Sequence, residues 1–185
     1  MKNFKVTSVE NGKEYWISRA HAVVGIVYTI HNGSILFLVS KRGSGCPDNV
    51  GYWACTCGYL DWGETRKDAV RRELYEELGL DLSIYPNEYV EHFCTIDDPS
   101  RDARENIVSR YLIKVDYKST NDKLSKGEIN NNTESRGGEK DEVEEIRFID
   151  SDFIDYFEWA FNHGEILKEV VKYIKTGQKP NYCDE

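Results

Sequence analysis

The chain has 185 residues and a formal net charge of −9, with 24 Lys and Arg against 33 Asp and Glu. That length suits one domain (1–185) with a sizeable core, and the acidic balance argues against a nucleic-acid duplex as partner, because phosphate binding by charge needs clustered Lys and Arg. No apolar run approaches the roughly 18 residues of a membrane span, and MKNFKVTSVENGKEYW carries no signal-peptide core, so a cytoplasmic protein without a membrane partner is expected.

Residues 1–18 read as a hairpin about Asn11-Gly12, with Phe4, Val6 and Val9 on one side and Tyr15, Trp16 and Ile17 on the other. HAVVGIVYTI (21–30), a turn at Asn32-Gly33 and SILFLVSKR (34–42) follow as two β-rich runs, and GYWACTCG (51–58) is a third. Thr65 and Asp68 form a capping pattern that starts a helix just after Glu64, and Gly79 is a natural residue to end it. EYVEHFCTID (88–97), NIVSRYLIKVD (106–116) and EVEEIRFID (142–150) are further strand candidates. The segment 118–140 has almost no large apolar residues and reads as a flexible loop. From Ser151 onward Ile166, Leu167, Val170, Val171 and Ile174 recur at helical spacing. Strands on both sides of a central helix, with a helix at the end, indicate an α/β fold with a mixed sheet between helical layers.

Chemistry concentrates between Gly58 and Leu80, GYLDWGETRKDAVRRELYEELGL. A helix brings Glu73, Glu76 and Glu77 to one side, where they repel one another unless a cation sits between them. Oxygen donors of this kind suit Mg²⁺ or Mn²⁺, and Mg²⁺ commonly completes its shell with substrate phosphates. Val70, Leu74 and Leu78 make an apolar stripe beside the acids, so one edge of the helix buries while the acidic edge faces a cleft. A solvated acidic face is the plainer alternative. Cys46, Cys55, Cys57, Cys94 and Cys183 show neither a disulfide framework nor a CxxC zinc pattern.

Gly58, Glu64 and the run Arg72-Glu73-Leu74-Tyr75-Glu76-Glu77-Leu78-Gly79-Leu80 resemble the signature box of the Nudix hydrolases at every specified position. DDPSRDARENIVSRYLI (97–113) and AFNHGEIL (160–167) are similar to segments of the ADP-ribose pyrophosphatase-like branch. The resemblance implies a Nudix-like α/β/α sandwich and metal-assisted attack of water on a nucleoside diphosphate linked to another group. It further implies that Glu73, Glu76 and Glu77 are metal ligands or base, that the backbone carbonyl of Cys57 is a ligand, and that Arg72 and Glu64 pair to brace the loop against the helix. Some relatives place the base before the last strand, where Glu142 is preferred over Glu144 and Glu145. Arg101 and Arg104, flanking Asp102, suit diphosphate recognition, and Trp53, Tyr59 and Trp62 suit stacking on a base or ribose as well as they suit packing. His163, between apolar neighbours, reads first as a structural histidine. Relatives carry Pro-Gly-Gly where this chain has Thr56-Cys57-Gly58, which puts the loop geometry in question.

The leading expectation is therefore an Mg²⁺- or Mn²⁺-dependent pyrophosphohydrolase of ADP-ribose or a related nucleotide sugar. A hydrolase of dinucleoside polyphosphates or nucleoside triphosphates is the first alternative, and a non-catalytic nucleotide-sensing module the second. The hairpin and its aromatic residues make a homodimer plausible.

Overall fold

The computed structural model describes residues 2–83, 89–102 and 104–183. The hairpin pairs β1 (Phe4–Thr7) with β2 (Glu14–Ile17), Phe4 opposite Ile17 and Thr7 opposite Glu14. Every residue of both strands is exposed, so the ribbon stands off the core.

β3 (His21–His31), β4 (Ser34–Arg42), β5 (Trp53–Ala54), β6 (Thr56–Tyr59), β7 (Val90–Ile96), β8 (Ile107–Lys114) and β9 (Val143–Asp150) build one sheet. Its order is β5-β4-β3-β8-β7, with β6 added to β3 and β9 to β4. β3 and β8 are parallel and the remaining pairs antiparallel, giving the mixed sheet that the pattern of runs implies. The first residue of the expected strand 88–97 lies outside the described residues.

Alternation along the strands sends side chains to two faces. Val24, Ile26, Phe37, Val39 and Leu112 meet Ile166, Leu167 and Val170 of the last helix, which together form one core. Val23, Val27, Leu38 and Ile113 meet Ala69, Val70, Leu74 and Leu78 in a second core on the other face. The result is the α/β/α sandwich expected from the sequence. Among the described residues no helix is long and apolar enough to cross a membrane.

Helix α1 (Arg66–Glu73) begins with the capping box in place: the Thr65 hydroxyl accepts from the Asp68 N–H while Asp68 reaches back to the Thr65 N–H. It continues into one π-helical turn, Leu74–Leu78, and stops at Gly79, whose φ of 74° is cheap only for glycine.

The segment 118–140, expected as a flexible loop, contains regular structure. Residues Tyr117–Ser125 form helix α2, with the Asp116 carboxylate accepting from the Ser119 N–H at 2.7 Å. Tyr117 stacks on His31 at 4.0 Å between ring centroids, and Ile129, Thr120 and Thr133 are buried. The segment is poor in apolar residues, but those it has are placed in the second core, and hydrogen bonds from its polar side chains supply the rest. Helix α3 (His163–Thr176) closes the fold.

Candidate active site

The close approach of β6 to α1 sets the site. A Cβ on Gly58 would lie 2.0 Å from Glu73 Oε1, so glycine is required for the carboxylate to rest against the strand. The adjoining Cys57 is not among the residues of positive φ. It sits in extended β6, where a cysteine costs no more than a glycine, which removes the conformational question raised by its place in the motif.

Glu73 is 8% exposed and Glu77 6%, so two of the three acids are buried rather than presented to open solvent. Burial pushes Glu73 up to about 7 despite the neighbouring Arg72, and pushes Glu77 well above the usual carboxylate range, with the Glu73 and Glu142 charges adding to it. Glu77 Oε1 accepts from the Cys57 N–H at 3.2 Å. Arg72 is the cation among these acids: Nη1 donates to Glu73 Oε1 at 2.7 Å and to Glu76 Oε2 at 3.0 Å, and Nη2 to Glu64 Oε1 at 2.8 Å. Its Nη2 also donates to the Tyr59 carbonyl, and Glu64 Oε1 accepts from the Asp61 N–H, so the loop is tied to the helix through this pair. Hydrogen bonding to Arg72 holds the Glu64 carboxyl below its ordinary value.

Of the three acids before and within β9, the structure brings one to the site. Glu142 lines the cleft beside Cys57 and Gly58, whereas Glu144 pairs with Lys41 and Glu145 with Arg147. Burial raises the Glu142 carboxyl. Its loop is pinned by two glycines that the sequence reading passed over. Gly43 N–H donates to the Glu142 carbonyl at 2.7 Å and Gly45 N–H to that of Asp141 at 2.8 Å, and a Cβ on either glycine would collide with this backbone.

The cleft itself has a volume of about 200 Å³. Tyr59, Arg101, Asp102 and Arg104 line it, joined by Arg42 and Phe161. Arg42 and Arg104 lie over Phe161, 5.2 and 5.0 Å from its centroid, and both pair with Asp48. Arg101 stacks on Tyr182 at 4.3 Å. Trp62 is not brought to the cleft: it is 94% exposed and leans toward Tyr15 of the hairpin. Trp53 is buried in the core. His163 is structural in one respect, since its Nδ1 accepts from the Cys55 N–H at 3.1 Å, and burial lowers it to about 3.

The second feature missed by sequence reasoning is Arg136. Its guanidinium donates to the carbonyls of Tyr75 at 2.7 Å and of Glu76 at 3.2 Å where the π turn ends, adding a second donor at Tyr75, which already accepts from the Gly79 N–H. The only sequence signal was a lone Arg in a polar stretch downstream of a helix whose last carbonyls needed donors.

Among the described residues no three His, Cys, Asp or Glu side chains already surround one cation position; Arg72 holds two of the acids apart from such an arrangement. The donor set nevertheless fits a hard divalent ion. It is all oxygen, two of its carboxylates are buried beside one another, and the Glu73 carboxylate rests against the bare Cα of Gly58. The Cys57 thiol is held neutral by burial, which disfavours a thiolate site for zinc.

No curated protein matches the chain. Among solved structures it is similar to the NUDIX domain of Shewanella oneidensis NrtR complexed with ADP ribose, with TM-score 0.62 and 18% identity over 85% of this chain and 90% of that one. A mutT/nudix family protein from Listeria innocua gives TM-score 0.62 and 22% identity, covering 85% and 95%. A bifunctional NMN adenylyltransferase/ADP ribose pyrophosphatase from Francisella tularensis, complexed with AMP and a Mn ion, gives 0.58 and 18%, covering 84% and 42%. These likenesses show the fold. The NUDIX domain pattern matches residues 19–170, the greater part of the chain and all of its sheet and carboxylate helix, and the chain therefore belongs to the Nudix family of pyrophosphohydrolases.

Proposed function

We propose that the protein hydrolyses the pyrophosphate of a nucleoside diphosphate linked to a second moiety, ADP-ribose or a related nucleotide sugar, with Mg²⁺ or Mn²⁺. The observation that carries this reading is a single cleft lined by Cys57, Gly58 and Glu142 together with Arg42, Arg101 and Arg104. Glu73, Glu76, Glu77 and the Cys57 carbonyl would hold the metal, which when bound supplies charge neutralisation at the phosphoryl oxygens and acidifies an attacking water.

The chain's own residues do the rest. Arg72 fixes the positions of Glu73, Glu76 and Glu64 and so keeps the carboxylates in register with β6. Glu142, raised by burial, is suited to take the proton of the attacking water, because a base whose pKa lies nearer to neutral pH transfers protons more effectively in both directions. Arg101 and Arg104 offer forked donors to the diphosphate. Phe161 and Tyr59 give the cleft aromatic surface for a base or a ribose.

The relative complexed with ADP ribose supports this choice of substrate, and an Ap4A hydrolase of similar fold keeps dinucleoside polyphosphates as the alternative. A panel of these compounds assayed with Mg²⁺ and product identification tests it. ADP-ribose is expected to yield AMP and ribose 5-phosphate; turnover of a polyphosphate or triphosphate with none of ADP-ribose would overturn the substrate assignment.

A further inference from the structure

Arg110 is a charged residue that the hydrolytic reading does not use. It is 4% exposed, and its Nε is one of three buried side-chain nitrogen or oxygen atoms without a hydrogen-bond partner among the described residues; the other two are threonine hydroxyls. Its Nη1 donates to the Tyr182 hydroxyl at 3.0 Å and reaches Glu169 Oε2 only at 3.5 Å, a carboxylate that Tyr182 also engages. A buried guanidinium normally sits in a full set of acceptors, because an unpaired buried charge is expensive. This one lines the cleft and also the hollow that adjoins it past Tyr182.

Strand register fixes how far Arg110 stands from the carboxylate helix. Cys57 pairs with Val24 and Val24 with Arg110, so the three form a row across β6, β3 and β8. Two strand spacings, roughly 10 Å, separate the backbone of Cys57 from that of Arg110. His163 lines the same cleft. Its Nδ1 is taken by the Cys55 N–H, and the neutral ring therefore carries its proton on Nε2. Both residues line the cleft as donors, Arg110 charged and His163 neutral, and they suit an oxygen acceptor with negative charge.

We infer that Arg110 and His163 form a second anion subsite in the cleft, which takes a phosphate carried by the substrate beyond the pyrophosphate that is cleaved. The inference rests on the reading of the cleft as a nucleoside diphosphate site. The substrate class is then a nucleoside diphosphate derivative with an additional phosphate, located either on the terminal sugar or on the nucleoside ribose. Glu169 is the competitor for Arg110 and must yield when the phosphate arrives; its side chain is 34% exposed and can turn to solvent.

The test compares three compounds with the full-length protein and Mg²⁺: ADP-ribose, ADP-ribose phosphorylated on its terminal ribose, and ADP-ribose phosphorylated on the adenosine ribose. Competition kinetics give the ratios of kcat/KM, and thermal shifts give binding. One phosphorylated compound is expected to be preferred over ADP-ribose by at least tenfold, and which one it is identifies the end of the substrate that meets Arg110. Arg110→Met should bring that ratio close to one. Because Arg110→Met removes a buried group and can fail to fold, Glu169→Gln is measured beside it; loss of the competing carboxylate should raise the preference. No preference in the wild type, a preference that survives in folded Arg110→Met, or no rise in Glu169→Gln overturns the subsite. If the phosphorylated compound is bound and cleaved while ADP-ribose is not, the subsite stands and the choice of ADP-ribose falls; if ADP-ribose is cleaved without discrimination, the reverse holds.

Discussion

Glu73 and Glu77 are held out of water next to one another, and the free energy of that arrangement depends on what neutralises them. Glu73 moves from an ordinary 4.5 to about 7, so between those values the folded chain holds a proton that the unfolded chain has released. Stability from this group is therefore fully present at low pH and is lost as pH rises through 7. His163 acts in the opposite direction: lowered from 6.5 to about 3, it costs stability as pH falls below 6.5. The metal-free protein is thus expected to melt highest between about pH 4.5 and 6.5, where the opposing slopes of the two groups offset each other, and to lose stability on either side. Mg²⁺ or Mn²⁺ should restore the melting temperature on the alkaline side only, as read by melts with metal and with chelator across pH. Glu77→Gln keeps an acceptor for the Cys57 N–H but deletes a buried charge. It should raise the metal-free melting temperature, abolish the response to metal and lower kcat by orders of magnitude; full activity of this variant in chelator would refute the metal-assisted reading.

At the scale of elements, what the sequence disclosed and what it hid have separate physical reasons. α1 was legible because its start, stripe and stop are local: Thr65 and Asp68 cap each other, Val70, Leu74 and Leu78 repeat at four, and Gly79 takes the left-handed conformation. The π turn was not, because a shift of hydrogen-bond register leaves no mark in an apolar period. The acids were found, yet their burial was not, since it depends on β6 passing close enough at Gly58 to cover Glu73. The regular structure within 118–140 was not legible because apolar content measures only one way of fastening a segment. Here Ile129 and Tyr117 supply a little buried surface while Arg136 ties the segment to the end of the carboxylate turn. Arg136→Ala should cost about 1 kcal/mol, the ordinary net worth of a hydrogen bond whose acceptors are not deeply buried, and should lower kcat because the carbonyls it holds belong to Tyr75 and Glu76. Chemical denaturation and steady-state kinetics measure the two effects; an unchanged midpoint would show that the segment is only draped over the domain.

The molecule as a whole assembles its cleft from parts that are far apart in the chain: Arg42 at the end of β4, Gly58 before α1, Arg101 and Arg104 between β7 and β8, Glu142 before β9 and Phe161 before α3. No spacing rule links these segments, which is why Arg42 and Phe161 were absent from the sequence reading while the two arginines of the similar branch segment were present in it. The hairpin of residues 1–18 lies outside the matched residues 19–170 and exposes both its strands, so its removal should leave the melting temperature of the domain nearly unchanged. The proposed division of labour between cationic and acidic residues should be visible in kinetics. Arg101 and Arg104 line the cleft, and as donors to the diphosphate they would hold it equally in ground and transition states. Such uniform binding sets KM and leaves kcat alone. Replacing both by Ala should raise the KM for ADP-ribose by about tenfold or more, since a hydrogen bond to a charged group is worth roughly 1.5–3 kcal/mol, with kcat changed much less. Glu76→Gln should do the reverse, depressing kcat at little cost in KM. If the arginine pair instead lowers kcat as strongly as Glu76→Gln does, these residues act on the reacting phosphoryl group itself, and the assignment of the arginines to uniform binding is wrong.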